Sequence, residues 1–382
     1  MIYLDNAATT FPKPRQMMKT MVEEYVRMGV SPGRGSYDAA EEASRRVNET
    51  RGKVARFFGA PDDQRVIFTA NATDSLNVAI QGMLSPGDHV VSTRLEHNSV
   101  LRPLHHLALQ GRISYDLIPF DGNGFVDPED IAKKITSKTR LVIINHASNV
   151  LGTVQPVAEI GRCCAERKVA FLVDAAQSAG VIPIDLKAWQ VSAVAFTGHK
   201  SLLGPTGMGG LVLAPDAEIR ATRFGGTGID SNSLRHTESF PHRLEAGTLN
   251  LMGIIGLGAG LDIVSSMGLS TIHRQEMELL SHLRDGLSQL NRVQLYCADD
   301  LSRHVGLLTI NIEGITPSDV GAILDGDFGI AVRTGLHCAP LVHQTLGSYP
   351  HGGVRFSIGP FNTHDDISQV LMAMARITSA KA

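Results

Sequence analysis

From residue 66 to residue 213 the chain alternates short apolar, β-branched runs with amphipathic stretches of helical period. That alternation is the strongest restriction on its fold, because strands separated by helix-length segments are the pattern of an α/β sheet layered by helices. The runs predict strands at 66–70, 88–93, 113–119, 141–146, 170–174, 193–197 and 210–213, with helices at 73–83, 100–110 and 157–168. Pro86-Gly87-Asp88 and Asp121-Gly122-Asn123-Gly124 mark turns between them. After about residue 255 the texture changes. A long helix at 272–290, strands at 293–297, 306–312 and 353–358, a helix near 317–324 and another from His364 predict a smaller α/β unit. With 382 residues a single core is outgrown, so we expect a large domain at 15–255 and a small one formed by 1–14 and 256–382.

Several function classes drop out on composition. A net charge of −3 gives no electrostatic footprint for nucleic acid. The most apolar stretch, 249–264, is broken by Asn250 and Asp262 and carries Gly253, Gly256, Gly258 and Gly260, which fits a packed core or interface helix rather than a membrane span. No basic, apolar leader opens the sequence, so secretion is not expected. Cys163, Cys164, Cys297 and Cys338 show neither paired ligand spacing nor clustered histidines, so no metal site is expected and the thiols read as reduced and cytoplasmic. No phosphate-binding G-x-x-x-x-G-K-[ST] loop exists, and Gly256-Leu257-Gly258-Ala259-Gly260 does not follow a strand as a dinucleotide site requires.

The chemistry gathers at strand ends. Asp174 closes the apolar run Phe171-Leu172-Val173, at the carboxyl end of a predicted parallel strand, where α/β sheets bind ligands; alone, it could equally be a helix cap. Lys200 lies 26 residues on, directly after the next strand, in Thr197-Gly198-His199-Lys200 and before Gly204-Pro205-Thr206-Gly207. A lone loop lysine is ordinarily a solvated charge. An amine for a Schiff base, a carboxylate for a pyridine nitrogen and hydroxyls near glycines for a phosphate are nevertheless the parts that pyridoxal-phosphate chemistry needs. Ala72 and Thr73 open a predicted helix after a strand, a ready anion site, although Thr73 as a plain cap would serve as well.

These segments carry a resemblance. Tyr3-Leu4-Asp5-Asn6-Ala7-Ala8-Thr9-Thr10, Glu96-His97-Asn98-Ser99, Ser148-Asn149-Val150-Leu151-Gly152-Thr153, Asp174-Ala175-Ala176-Gln177-Ser178, Thr197-Gly198-His199-Lys200, Glu245-Ala246-Gly247-Thr248 and Arg333-Thr334-Gly335-Leu336-His337-Cys338-Ala339 span nearly the whole chain. Together they resemble the class V aminotransferase group of fold-type I pyridoxal-5′-phosphate (PLP) enzymes, and within it the short-loop cysteine desulfurases and selenocysteine lyases. The resemblance implies a mostly parallel seven-stranded sheet in the large domain and the cofactor on Lys200. It places Asp174 at the pyridine nitrogen, Gln177 at the phenolic oxygen, His97 on the ring face, and Ala72, Thr73, Thr197 and His199 around the phosphate. Thr248 would reach the phosphate of a neighbouring subunit, which implies a homodimer. Arg355, with Asn149, would hold the substrate carboxylate, since guanidinium forks onto carboxylate; a structural ion pair is the plain alternative for a buried arginine. Cys338 would take sulfur from L-cysteine as a persulfide and pass it to an acceptor protein, leaving alanine. Flanking Arg333 and His337 favour its thiolate. Selenocysteine lyase, or another class V lyase or aminotransferase, is the competing activity. The chain departs from the group's pattern at Leu336, where a second histidine is common, and the 17 residues from Cys338 to Arg355 imply a short loop.

Overall fold

A computed structural model describes residues 1–33 and 35–379. Its centre is a seven-stranded sheet with the spatial order Val66–Thr69, Gly209–Leu213, Ala193–Thr197, Ala170–Asp174, Thr139–Asn145, His89–Thr93, Ser114–Ile118. Only Gly209–Leu213 runs antiparallel to its neighbours. All seven predicted strands form within a residue or two of their expected limits. The reason is visible in the burial. Both faces of the sheet are covered, so consecutive residues alternate between two cores: Val142, Ile144, Phe171, Val173, Val194 and Phe196 face one, and Leu141, Ile143, Leu172, Ala193 and Ala195 the other. Such strands must be apolar throughout, which makes them legible.

Local capping starts the helices where the site needs them. Asn71 accepts the Asp74 N–H at 2.9 Å to open Ala72–Met83, and the His97 ring accepts the Ser99 N–H at 3.0 Å to open Asn98–Leu109. Gly209 lies so close to that first turn that a Cβ would come within 2.7 Å of Asn71 Cα, so the strand reaches the helix start only without a side chain.

The second unit is a four-stranded antiparallel sheet, Arg333–Gly335, Gly353–Ser357, Leu307–Ile312 and Val293–Tyr296 in spatial order. Its core packs against the helices Leu269–Ser288, Pro317–Phe328 and His364–Ser379. The N-terminal strand Ile2–Tyr3 pairs in parallel with Ile330–Ala331, which brings the first residues to this unit. The apolar helix Leu251–Met267 contributes Leu251, Ile254, Ile255, Leu257 and Leu261 to the core of the large sheet. Among the described residues no single helix is long and apolar enough to cross a membrane.

Two long helices, Arg15–Met28 and Asp38–Phe57, and two seven-residue ones, Pro128–Lys134 and Pro340–Leu346, are absent from the sequence reading. The first buries only Met17, Met21 and Met28 and leaves Met18, Val22, Tyr25 and Val26 exposed. The second buries a stripe of small residues, Ala40, Ala43, Val47, Thr50, Val54 and Ala55, interrupted by an arginine. That arginine, Arg51, forks onto Glu245 at 2.9 and 3.0 Å, with both side chains 2% exposed. Glu245 also accepts the Phe68 N–H at 2.7 Å, and Arg51 donates to the Val66 carbonyl. The pair ties helix Asp38–Phe57, the sheet edge and the Glu245–Thr248 segment together. Removing one partner strands a buried charge. Glu245→Ala is expected to lower unfolding stability by about 3–5 kcal/mol in urea titration; a loss below about 1 kcal/mol would mean that water reaches Arg51.

Candidate active site

Three adjacent strands end at one cavity. Asn145, Asp174 and Ala195 are paired in register, so the residues that follow them converge. Ala72, Thr73, His97, Asn149, Asp174, Gln177, Thr197, His199 and Lys200 all line this cavity, together with Asn71, Ser99, Asn145, Ala147 and Ala176. The structure thus gathers nine of the expected site residues. Thr248 is not among the lining residues and lies exposed on the surface. Cys338 and Arg355 approach from the small sheet.

Burial sets the charge states. Lys200 is pushed down to about 8, mainly by burial, with Asp174 pulling the other way and Arg355 and Arg333 adding to the depression. Burial raises Asp174 above the usual carboxylate range, against an Ala176 N–H bond of 2.9 Å and the Lys200 charge. His97 and His199 are each lowered to about 4, first by burial and then by Lys200. Both rings are therefore neutral near pH 7. On His97 the tautomer follows from geometry: Nδ1 accepts the Ser99 N–H, leaving the proton on Nε2.

The cavity contains unmet polar groups. Thr197 Oγ1 and His199 Nδ1 are buried without a hydrogen-bond partner. Across from them, Asn71 takes the Asp74 N–H through its side chain and the Ser75 N–H through its carbonyl, which leaves the Ala72 and Thr73 N–H groups at the helix start for an anion. Buried donors of this kind persist where a ligand completes them. An anion site at this end, a neutral imidazole at His97 and a carboxyl at Asp174 fit the groups that PLP would present.

Arg355 is 2% exposed. Its Nη2 pairs with Asp5 at 2.8 Å and its Nη1 donates to the Asn149 carbonyl at 3.0 Å, while Nε has no partner. The ion pair raised as the plain alternative is therefore present, and Asp5 also meets Arg333 at 3.3 Å. Asn149 donates its side-chain amide to the His337 carbonyl at 2.6 Å, so it also fastens the Cys338 loop. Cys338 is exposed, and its carbonyl accepts the Asn98 N–H at 2.7 Å. The loop is thereby bound to the residue after His97.

Three contributors escape the sequence reading. Glu96 is fully buried, accepts from Thr93 Oγ1 at 2.7 Å and the Asn145 N–H at 3.1 Å, and is pushed up to about 8 by burial. It clamps two strand ends as a neutral acid. Asp5 holds Arg355. Lys13, lowered to about 8 by burial, donates to the His199 carbonyl at 2.5 Å beside Thr9 Oγ1 at 3.0 Å and the Thr10 N–H at 3.1 Å. Glu96 and Asp5 fall inside quoted motifs; nothing in the sequence marks Lys13. Because a depressed pKa leaves the amine unprotonated at lower pH, acylation of Lys200 and Lys13 in cofactor-free protein should rise with a midpoint near pH 8, against about 10.4 for solvated lysines. Peptide mass spectrometry against pH reads this directly, and a midpoint near 10 at Lys200 would contradict its burial.

Comparison with known proteins identifies the family. The family model for aminotransferase class-V matches residues 2–370. A probable cysteine desulfurase of Methanothermobacter thermautotrophicus is 37% identical over 96% of this chain and 92% of its own length. A cysteine desulfurase of Escherichia coli O127:H6 is 32% identical over 98% of this chain and 93% of its own. The solved apo structure of a cysteine desulfurase from Thermococcus onnurineus NA1 superimposes with a TM-score of 0.93 at 36% identity, covering 99% of this chain and 94% of that one. The chain belongs to the aminotransferase class-V family.

Proposed function

We infer that this protein is a PLP-dependent cysteine desulfurase that converts L-cysteine to L-alanine and places the sulfur on Cys338. The observation that carries the reading is the position of Cys338: an exposed thiol on a loop whose backbone is bonded to Asn98 and Asn149 at the rim of the Lys200 cavity. The other three cysteines are raised by burial, Cys164 most strongly, and suit no nucleophilic role.

Thr197, His199 and the helix start at Ala72 and Thr73 would hold the cofactor's phosphate, Asp174 its ring nitrogen and Gln177 its phenolic oxygen, with Lys200 as the point of attachment. When bound there, the cofactor supplies an electron sink for negative charge at the substrate Cα. Lys200 Nζ, unprotonated at mildly alkaline pH, takes the Cα proton and later returns it. Neutral His97 would face the cofactor ring without adding charge, with its proton on Nε2 to donate. Arg355, held in place by Asp5, binds the substrate carboxylate. The Cys338 thiolate forms a bond to the substrate sulfur as the substrate C–S bond breaks; the freed Cβ gains a proton and alanine leaves. The persulfide sulfur then goes to an acceptor protein. Thr248, exposed on its own chain and anchored through Glu245, completes the phosphate site of a second copy in a homodimer.

After one turnover with L-cysteine, mass spectrometry of the holoenzyme should show one added sulfur on the Cys338 peptide and one equivalent of alanine. Cys338→Ala should lose at least about a hundredfold in alanine formation from L-cysteine. Full retention on L-cysteine would overturn the desulfurase reading; loss there with full activity on L-selenocysteine would mean that only the thiol-dependent reaction needs Cys338.

A further inference from the structure

Behind Cys338 lies a cluster of groups that the reaction does not touch. His337 and His343 are 6% and 0% exposed, and Ser348 8%. A carbonyl oxygen can only accept, so the 3.2 Å contact of His337 Nε2 with the Arg333 carbonyl places the proton on Nε2. Nδ1 of His337 then accepts, from His343 Nε2 at 3.2 Å. That leaves His343 Nδ1 as an acceptor for the Ser348 hydroxyl at 2.8 Å. Ser348, His343, His337 and the Arg333 carbonyl thus form one chain with a single direction, closed only while both rings are neutral. Burial, their largest influence, lowers His343 to about 4 and His337 well below the ordinary histidine value, so His337, contrary to the expectation from the sequence, puts no positive charge beside Cys338.

The chain supports an unfavourable backbone. His337 and Cys338 have φ of 50° and 57°, two successive non-glycine residues in the left-handed region, a conformation that persists only where the surroundings over-determine it. Three contacts do so: the His337 ring in the hydrogen-bonded chain, the His337 carbonyl on Asn149 Nδ2, and the Cys338 carbonyl on the Asn98 N–H. The last two connect the loop to the cavity. The first anchors it to helix Pro340–Leu346, which carries His343.

We propose that His343 is a positioning residue for sulfur transfer: through His337 it fixes the left-handed turn that presents Cys338 to the substrate sulfur. His343 touches no substrate, and the proposal rests on the reading of Cys338 as the sulfur acceptor. Glutamine can accept with Oε1 and donate with Nε2, so His343→Gln can rebuild the chain, whereas His343→Leu fills a similar volume and breaks it.

The test compares these holoenzymes with the unaltered protein and with Cys338→Ala. In His343→Leu, kcat for alanine formation from L-cysteine should fall about tenfold while KM stays within about twofold, the loss expected for an acceptor thiol held less often in place. Hydrogen exchange of the Asn98 amide and of the 336–349 peptide should quicken in parallel, which reads the loop without reference to turnover. His343→Gln should stay within about threefold of the unaltered enzyme on both readouts. Ser348→Ala, which removes only the far donor, should shift both in the direction of His343→Leu and serves if the leucine variant does not fold. Unaltered kcat and exchange in His343→Leu, or in Ser348→Ala where that variant replaces it, would overturn the proposal, as would a glutamine variant as impaired as the leucine one. If Cys338→Ala retains full alanine formation, the sulfur-acceptor reading itself fails, whatever His343 does.

Discussion

The site depends on a buried pair of opposite charges at the ends of adjacent strands. Asp174 closes Ala170–Asp174, and Lys200 follows Ala193–Thr197 by three residues. Burial penalises both ionised forms, raising the carboxyl and lowering the amine, while each charge pulls the other part of the way back. A lysine in that state becomes a nucleophile at mildly alkaline pH, where a solvated lysine is still a cation. The rest of the cavity extends the same logic. His97 and His199 are held neutral by burial and by the Lys200 charge, and the unmet Thr197 hydroxyl and helix-start amides wait for negative charge.

The small sheet contributes what the large one cannot, an arginine and a thiol carried on one antiparallel ladder. Arg333–Gly335 pairs with Gly353–Ser357, so Arg333 lies opposite Arg355 and the turn between them holds Cys338. Two like charges side by side would repel; Asp5, delivered by the N-terminal segment, meets both. Gly352 sits where any Cβ would collide with the Gly335 carbonyl, which keeps the loop tight. Asn149 couples the two units, receiving Arg355 on its carbonyl and donating to His337.

Most of the large sheet was legible because strands buried on both faces are apolar at every position, and an acidic or basic residue ending such a run stands out. Asp174 and Lys200 were singled out in this way, and the motif resemblance supplied the residues proposed for the phosphate. The helices Arg15–Met28 and Asp38–Phe57 were not legible, since one buries three methionines on an otherwise mixed surface and the other buries alanines, two valines, Thr50 and Arg51 between many charged residues. A buried arginine on a charged helix reads as a solvated face until its distant partner Glu245 is in place. Lys13 and His343 escaped for a related reason: each acts through a contact with a residue that only the tertiary fold brings near, and neither carries a local pattern. Arg355 shows the opposite case. Of the two readings offered for it, the structural ion pair is present, and Asp5 fixes the guanidinium beside the cavity, where the carboxylate anchor is proposed.

The central claim is that Lys200, rather than the similarly depressed Lys13, carries the cofactor. Borohydride reduction of the PLP-loaded protein, followed by peptide mass spectrometry, tests it most directly. The account predicts a single pyridoxyl adduct, on the peptide containing Lys200, with Lys13 unmodified. An adduct on Lys13, or no covalent adduct in protein that retains the cofactor, would contradict it.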